Sequence, residues 1–258
     1  ARRALEIALA GGHGLLLTGP PGVGKTLLLR TIPGLLPPLD DAAALAATIV
    51  ASAAGEGPIH HLRRTPPFRT PHHTSSYAAM VGGGPDLMPG EITRADHGVL
   101  FLDELAEFDR DVLESLRQPL EEGRVTIARA RRVVTFPARF QLVAAMNPCP
   151  CGFAGTEPDG RCTCPPRLVE RYQRRVSGPL RDRLDLWIDM PLSTAAHLIG
   201  RDEPEGSATV AERIAAARRR SVERSGVLNG RLHGRALRAT CGLTGPARRR
   251  LVVLADAE

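Results

Sequence analysis

The feature that most constrains this chain is a glycine-rich loop between a short apolar run and a helical pattern. Residues 19–26 read GPPGVGKT and match the pattern G-x-x-x-x-G-K-[S/T] in full. Backbone N–H groups of such a loop cradle phosphate oxygens, and the start of the following helix adds a favourable dipole. We therefore predict a site for a nucleoside triphosphate, with ATP the expected one. Its residues are Gly19, Pro20, Pro21, Gly22, Val23, Gly24, Lys25 and Thr26.

Two side chains of this loop carry its charge chemistry. Lys25 should reach the β- and γ-phosphates, and the Thr26 hydroxyl should ligate Mg²⁺. Apart from the histidines, every other basic residue of the chain is arginine, which with the abundant Ala, Gly and Pro suggests codon bias. A lysine kept at the phosphate-binding position of such a chain strengthens the prediction.

Composition sets limits on size, location and partners. With 258 residues, 43% of them hydrophobic, the chain can form a large α/β domain with or without a small helical one. The apolar runs are too short to cross a bilayer, and the N-terminal residues lack a signal-peptide pattern. We therefore expect a cytoplasmic protein without a membrane partner. The net charge of +6 permits binding to nucleic acid but does not establish it.

Strand-like and helical patterns alternate through the first three quarters of the chain. The predicted buried strands are Gly14–Thr18, Gly98–Leu102 and Phe140–Met146, and Leu184–Met190 is a further predicted strand. The predicted helices are residues 1–11, a helix from Lys25 to before Pro33, 40–54, Asp109–Gly123 and Arg167–Val176. Residues 55–90 are rich in Gly, Pro, His, Ser and Thr, which predicts loops with one or two short elements.

The pattern changes near residue 193, after which only helical patterns remain, including 207–224 and 245–257. Strands that alternate with helices predict a parallel sheet. We therefore predict an α/β core over residues 1–192 with helices on both faces of a parallel central sheet. A small all-helical lid should follow over residues 193–258.

Polar residues end two of the predicted strands. Asp103 and Glu104 follow the apolar run Val99–Leu102, and Asn147 follows Phe140–Met146. Ligands bind at the carboxyl ends of the strands in such sheets, so these side chains should lie beside the glycine-rich loop. Asp103 would hold Mg²⁺ and Glu104 would act as general base toward water. Asn147 would orient that water, or alternatively cap its strand.

The cysteines predict a metal site. Cys149, Cys151, Cys162 and Cys164 fall in a loop over residues 149–164 that is rich in Gly, Asp and Pro. Four thiolates match structural Zn²⁺ in number and softness, although the C-x-C spacing is tighter than the usual C-x₂-C. Unmetallated thiols and an iron–sulfur cluster remain alternatives. Cys241 stands alone and is expected to be an ordinary core residue.

Beyond these motifs, eight stretches are specific enough to indicate a family. They read FRTPHHTSS (68–76), VGGG (81–84), PGEI (89–92), HGVLFLDE (97–104), LRQPLE (116–121), TFPARF (135–140), AAMNPCPCG (144–152) and SGPLRDR (177–183). This set resembles the ComM/YifB family of magnesium-chelatase-like (ChlI-type) AAA+ ATPases over nearly the whole chain. The resemblance implies an AAA+ P-loop NTPase fold.

The family also implies an assembly and roles for single residues. Its members resemble ring-forming ATPases, hexamers by expectation, in which ATP lies between neighbouring subunits. Asn147 matches the sensor-1 position, and Arg183 matches the arginine finger that reaches the neighbour's γ-phosphate. Family members also carry an N-terminal Lon-protease-like domain and a longer lid, so we expect this sequence to be a fragment.

The activity implied by the resemblance is that of an ATP-driven DNA helicase or translocase. ComM-type proteins are implicated in branch migration of DNA during recombination in natural transformation. The alternatives are an ATPase that remodels a protein partner, as the motor subunit of magnesium chelatase does, and a nucleotide-gated binding module that hydrolyses poorly. The cysteine pairs and an arginine-rich hairpin favour the DNA motor.

That hairpin is predicted at about residues 124–137, where Val125–Ala128 and Arg132–Phe136 flank the tip. In this branch of AAA+ proteins such an insertion points into the central channel. Arg129, Arg131 and Arg132 would then contact the DNA backbone, unless the hairpin is only a solvated surface element.

The Thr70–Gly84 segment is the second candidate for contact with DNA. Its His72 and His73 would either bind phosphate or hydrogen-bond within the loop. Aromatic residues make up only 3% of the chain, which argues against a base-stacking platform. Single-stranded, duplex and junction DNA all stay possible, and phosphate contacts to a duplex or junction fit better.

Overall fold

The structure is a computed structural model that describes residues 1–129, 132–155, 160–192 and 205–255. A five-stranded parallel sheet organises the core. Its strands in chain order are β1 (Leu15–Thr18), β2 (Phe68–Arg69), β5 (Val99–Leu102), β8 (Gln141–Met146) and β9 (Leu186–Asp189). Their spatial order is β2-β5-β8-β1-β9, which places β1 and β8 inside the sheet. This confirms the predicted parallel α/β architecture.

Two antiparallel pairs lie outside the central sheet. They are β3 (Gly82–Gly83) with β4 (Met88–Pro89), and β6 (Arg124–Arg129) with β7 (Arg132–Pro137). The second pair runs in register from Arg124 opposite Pro137 to Arg129 opposite Arg132, so the predicted hairpin is confirmed. Residues 130 and 131 at its tip lie outside the described residues.

Helices cover both faces of the sheet. Those of the core are α1 (Arg2–Gly11), α2 (Lys25–Leu29), α3 (Asp41–Ala53), α4 (Tyr77–Val81), α5 (Glu91–Arg94), α6 (Arg110–Ser115), α7 (Arg117–Glu122), α8 (Pro166–Gln173) and α9 (Gly178–Arg181). One hydrophobic cluster joins β5 and β8 to Met80, Phe108, Val112 and Tyr172. A second joins the opposite face to α1, α2 and Ile214. Because both faces are covered, β5 and β8 are buried at every position, as their uninterrupted apolar sequences require.

Two predictions about local structure need correction. The single helix predicted over Asp109–Gly123 is divided at Leu116 into α6 and α7. Pro119 explains the break, since proline lacks an N–H and clashes with the carbonyl of the residue four positions earlier. Residues 55–90 contain more elements than expected, including β2, a strand of only two residues that pairs with β5 at the edge of the sheet.

The predicted lid contains the helices α10 (Ser207–Ser225), α11 (Gly234–Thr240) and α12 (Gly245–Ala255), with a 3₁₀ turn at Asn229–Arg231. α10 packs along α1, where Arg213 pairs with Glu6 and Arg218 Nη1 donates to the carbonyl oxygen of Leu9 over 2.9 Å. The predicted boundary at residue 193 falls between 193 and 204, outside the described residues, so the division into domains stays a prediction. Among the described helices, none is long and apolar enough to span a membrane.

Candidate nucleotide site and cysteine cluster

The glycine-rich loop lies at the carboxyl edge of the sheet, between the end of β1 and the start of α2. Gly22 and Gly24 have φ values of 81° and 87°, a left-handed region that residues with a Cβ rarely adopt. A side chain on Gly19 would lie 2.5 Å from the carbonyl oxygen of Met190, so this glycine lets the loop pack against the end of β9. The backbone therefore has the strand–loop–helix form that binds phosphate.

Lys25 is buried at the centre of this loop. Its Nζ donates to the carbonyl oxygens of Gly19 and Pro20 over 2.5 and 2.8 Å and to Asn147 Oδ1 over 3.1 Å. Burial lowers the pKa of the Lys25 ammonium, and the charges of Asp103 and Glu104 oppose that shift. The ammonium group is thus held among acceptors that triphosphate oxygens can replace.

The two side chains predicted to hold Mg²⁺ are in direct contact. Thr26 Oγ1 donates to Asp103 Oδ2 over 2.8 Å, and the backbone N–H of Glu104 donates to Asp103 Oδ1 over 3.0 Å. Asp103 follows β5 and Asn147 follows the adjacent β8, which lies beside β1. The order of the strands therefore brings Thr26, Asp103, Glu104 and Asn147 to the carboxyl edge of the sheet.

Glu104 has an unusual conformation and a partner that is not evident from the sequence. Its backbone is left-handed, with φ 55° and ψ 46°, and its side chain is 54% exposed. His73 Nδ1 lies 2.9 Å from Glu104 Oε2. The histidine pair in the HHTSS stretch was visible as a signal, but nothing in the sequence connected it with Glu104.

Arg183 is the predicted site residue that the fold does not bring to this edge. Its carbonyl oxygen would lie 2.4 Å from a Cβ on Gly14, at the start of β1, whereas the nucleotide loop follows the end of β1. Its side chain is exposed and pairs with Glu121 over 2.7 Å. Arg183 therefore lies at the opposite edge of the sheet from its own subunit's loop.

The predicted DNA-binding arginines belong to the hairpin. Arg132 is exposed at the start of β7, opposite Arg129 in β6, while Arg131 and the side chain of Arg129 lie outside the described residues. The hairpin adjoins the other candidate segment, because Ile127 Cδ1 lies 3.1 Å from where a Cβ of Gly82 would be. The two candidate DNA-binding regions thus touch one another.

The four clustered cysteines bring their sulfur atoms together. All four Sγ atoms lie within 4.8 Å of one another. Cys149 Sγ is 3.3 Å from Cys151 Sγ and 3.8 Å from Cys162 Sγ, and the Sγ atoms of Cys151 and Cys162 are 3.7 Å apart. These thiols are free. A tetrahedral site with metal–sulfur bonds of about 2.3 Å has sulfur–sulfur edges of about 3.8 Å, so the cluster could hold a metal ion.

Backbone N–H groups point at these sulfur atoms. The amide of Ala154 donates to Cys149 Sγ over 3.2 Å. Hydrogen bonds from the Phe153 backbone and from Cys149 lower the pKa of the Cys151 thiol to about 6. The Cys151 amide also lowers the pKa of Cys164, but burial and the neighbouring thiols Cys151 and Cys149 raise it to about 11. A bound cation would favour the thiolate form of all four cysteines and so oppose the rise in the pKa of Cys164.

The cysteine loop packs directly against the nucleotide loop. Gly152 has a φ of 88°, and a Cβ there would lie 2.7 Å from Pro21 Cδ and 3.9 Å from Asn147 Cγ. Cys149 follows Asn147 by two positions. The cysteine cluster, Asn147 and the glycine-rich loop therefore form one packed unit.

The expectation that Cys241 is a core residue was wrong, because it is exposed. It follows α11, and neither α11 nor α12 has a buried residue.

A family model and several known proteins match most of this chain. The model described as "Magnesium chelatase, subunit ChlI" matches residues 1–198. YifB of Escherichia coli, named an uncharacterized protein, is 48% identical over 244 residues, which cover 94% of this chain and 47% of that protein. Competence protein ComM of Haemophilus influenzae is 47% identical over 245 residues, 94% of this chain and 47% of ComM.

A mycobacterial protein is similar over an even larger share of the chain. The uncharacterized protein Rv2897c of Mycobacterium tuberculosis is 46% identical over 253 residues, covering 97% of this chain and 48% of that protein. The chain thus spans about half the length of the curated relatives it matches.

Proposed function

This chain belongs to the family of the magnesium chelatase subunit ChlI, and we propose that it is the ATP-hydrolysing module of a DNA motor. The observation that carries the proposal is the contact between Thr26 Oγ1 and Asp103 Oδ2 beside the buried Lys25. Thr26 and Asp103 are the residues that would hold Mg²⁺, which would neutralise negative charge on the triphosphate. Lys25 would then neutralise the β- and γ-phosphates, and Asn147 would orient the attacking water.

Glu104 is the proposed general base of this reaction. Substitution of Glu104 by Gln should lower ATP hydrolysis by at least about a hundredfold, because an amide cannot accept the proton of the attacking water. ATP binding should be kept, since Lys25, Thr26 and Asp103 are unchanged. Steady-state hydrolysis and the affinity for a fluorescent ATP analogue test this. Glu107, an exposed carboxylate three positions later, is the control, and an E104Q variant as active as wild type would contradict the assignment.

The proposed assembly is a hexameric ring. A ring accounts for the position of Arg183, whose exposed side chain lies too far from its own subunit's loop to act there but could exchange Glu121 for a group of a neighbouring subunit. In this arrangement ATP binds between two subunits, and Arg183 stabilises charge on the γ-phosphate of the adjacent one.

DNA is the proposed substrate of the motor. The exposed Arg132, the touching hairpin and Thr70–Gly84 segment, and the resemblance to the ComM/YifB family support it. Because the scarce aromatic residues disfavour base stacking, binding should rest on phosphate contacts and be independent of sequence.

Binding to DNA should therefore weaken steeply as salt is added. In the full-length protein, the logarithm of the DNA association constant should fall less steeply with the logarithm of the salt concentration in the R129A/R132A double variant. The slope should be shallower by about 0.9 for each phosphate of duplex DNA that the two arginines neutralise. Titrations of labelled single-stranded, duplex and junction DNA at several salt concentrations measure this. R238A removes an exposed arginine from α11 and serves as the control. If ATP is hydrolysed while DNA neither binds nor changes the rate, the alternative of a motor acting on a protein partner is favoured instead.

Zinc is the proposed metal of the cysteine cluster. The four sulfur atoms lie within 4.8 Å of one another, and backbone N–H bonds to the cluster stabilise thiolates, the form that binds Zn²⁺. A cytoplasmic location, which we also propose, would keep these thiols reduced.

A further inference from the structure

A cavity lies at the amino-terminal edge of the sheet, at the opposite end of the strands from the glycine-rich loop. Its volume is about 710 Å³, within the range of small-molecule sites. Gly12 and Gly98, just before β1 and β5, and Gln141, at the start of β8, line one side of it. Residues of α10 and of the 3₁₀ turn at Asn229–Arg231 line another. The cavity therefore lies between the α/β core and the predicted lid.

Arginine predominates among the charged residues of this lining. The lining includes four arginines and two acidic residues, namely Arg139, Arg218, Arg219, Arg231, Asp40 and Glu223. Asp40 already caps α3, where its Oδ1 accepts the N–H of Ala43 over 2.8 Å. Within the described residues, the guanidinium groups of Arg139 and Arg231 make no hydrogen bond or ion pair. Two cations at the cavity thus have their donors available for a ligand.

The arginines are close enough to repel one another. Burial, followed by the charge of Arg231, lowers the pKa of the Arg218 guanidinium to about 10. Loss of solvent, followed by the charge of Arg139, lowers the pKa of Arg231, and the charge of Asp96 opposes that shift. Because an opposite charge stabilises the charged form of such a group, an anion bound among the three arginines would relieve their repulsion.

The core residues next to Arg139 are fixed in position. Asp96 is 1% exposed, and its Oδ1 accepts the backbone N–H of Arg139 over 2.7 Å. The N–H of His97 donates to the carbonyl oxygen of Arg139 over 2.8 Å. His97 also has a left-handed backbone, with φ 58°, which is uncommon for a residue with a Cβ and is often found at functional sites. His97 and Arg139 belong to the family stretches HGVLFLDE and TFPARF, yet neither has a role in the nucleotide site.

The arginines of the predicted lid are held against the core. Arg218 Nη1 donates to the carbonyl oxygen of Leu9 over 2.9 Å, and a guanidinium group has further N–H donors for a ligand. A Cβ on Gly230 would lie 2.7 Å from the carbonyl oxygen of Gly12. The turn that carries Arg231 therefore packs closely on the loop before β1, and arginines border the cavity from both the core and the lid.

We propose that this cavity binds a small anion with two or more phosphate groups, held by Arg139, Arg218 and Arg231. Guanidinium groups bind phosphate oxygens through paired, charge-assisted hydrogen bonds. Concave sites of this volume take small molecules, so we favour a polyphosphate or a small phosphate ester over the backbone of duplex DNA. The site is separate from the glycine-rich loop and goes beyond the function proposed above. Its ligand would bridge the core and the predicted lid.

The probe is inorganic tripolyphosphate, titrated by calorimetry into the full-length protein with Lys25→Ala, which disables phosphate binding at the glycine-rich loop. About one tripolyphosphate per chain should bind. Addition of Arg139→Gln or Arg231→Gln should weaken this binding about tenfold or more, because each removes charge-assisted hydrogen bonds. Arg220→Gln is the control and should leave the affinity unchanged, since Arg220 is an exposed arginine of α10 that does not line the cavity.

Hydrogen exchange gives a second measurement that needs no variant. In the wild-type protein, tripolyphosphate should slow amide exchange in residues 228–232, the segment of the 3₁₀ turn, as well as in the glycine-rich loop. Slower exchange in the glycine-rich loop alone would contradict the proposal, because that loop binds phosphate by itself.

Three further results would overturn the site. The first is the absence of binding in K25A together with unchanged exchange of residues 228–232 in the wild type. The second is binding that R139Q and R231Q leave as tight as before, since the anion then lies elsewhere. The third is a loss of DNA affinity in R139Q and R231Q without any binding of tripolyphosphate, which would assign these arginines to DNA. None of these results bears on ATP hydrolysis, which E104Q tests.

Discussion

Substitution of Arg183 by Ala should lower ATP hydrolysis by about a thousandfold, the lower range of what an arginine finger contributes. Each subunit should still bind ATP, because the nucleotide loop of the same chain does not depend on this side chain. Single-turnover hydrolysis by the assembled ring and nucleotide titration measure the two quantities separately. Arg181→Ala is the matched control, since Arg181 is the last residue of α9, two positions before Arg183, but stacks on Trp187 at 4.7 Å.

The position of Arg183 is the reason for expecting this large effect to act between subunits. The four residues of β1 separate its backbone from the nucleotide loop, a span of roughly 13 Å at about 3.3 Å per residue. Its pair with Glu121 is exposed on both sides, at 44% and 46% of the side chains, and such a pair contributes little. Arg183 should therefore lose little free energy when it leaves Glu121 to bind the γ-phosphate of ATP in a neighbouring subunit.

A mixing experiment follows from this geometry. Rings that combine R183A with E104Q subunits should regain hydrolysis, although each variant alone is nearly inactive. Where an E104Q subunit supplies its Arg183 to an R183A subunit, that interface has both an intact finger and an intact base. Failure of verified mixed rings to regain activity, or loss of ATP binding in R183A itself, would contradict the role of Arg183 in a neighbour's site.

The nucleotide edge was predictable because its signals are local. Asp103, Glu104 and Asn147 each end an uninterrupted apolar run, and a parallel sheet carries such strand ends to the same edge. The structure brings these residues beside Lys25 and Thr26, as expected, while their catalytic roles stay predictions. The parallel α/β fold followed from the same alternation of strands and helices and is confirmed.

The contacts that couple segments could not be predicted in this way. His73 and Glu104 come from a loop and a strand end, and no periodicity relates them. β2 has two residues, too few for any alternating pattern to show. The approach of Gly152 to Pro21 depends on how the cysteine loop folds, which spacing alone does not give. The break between α6 and α7 is different, because Pro119 is visible in the sequence and is a sufficient reason to expect it.

Removal of the proposed zinc should unfold the cysteine loop and, through it, weaken ATP binding. Structural zinc contributes about 10 kcal/mol or more to the folding of small zinc domains. Among the described residues of the cysteine loop, only Cys149 and Gly152 are buried. Gly152 packs on Pro21 and Cys149 follows Asn147 closely, so loss of the loop's fold removes support from the phosphate-binding loop. A loss of about 1.4 kcal/mol at that contact corresponds to a tenfold weaker affinity for ATP.

Metal analysis of the purified protein should find about one zinc per chain, consistent with the four-cysteine site. Cys151→Ser with Cys162→Ser should abolish zinc binding, lower the melting temperature and weaken ATP binding. Cys241→Ser is the matched control, since that cysteine is exposed and lies outside the cluster. A visible-absorbing iron–sulfur chromophore, or protein with no metal, would contradict the zinc assignment.

The coupling between the two loops can be tested apart from the metal. Gly152→Ala should keep zinc, because the four sulfur ligands are unchanged, yet it places a Cβ 2.7 Å from Pro21 Cδ at a backbone φ of 88°. Since the residue is strained and the contact too close, the two loops must move apart, and ATP affinity should fall as it does on zinc removal. Gly155→Ala is the control, because Gly155 also has a positive φ, 73°, but has open space around its Cβ position.

If G152A binds zinc and binds ATP as tightly as wild type, the zinc site stabilises its own loop only. A weakened G152A with normal zinc content would instead mean that the cysteine loop supports the phosphate-binding loop through this one contact.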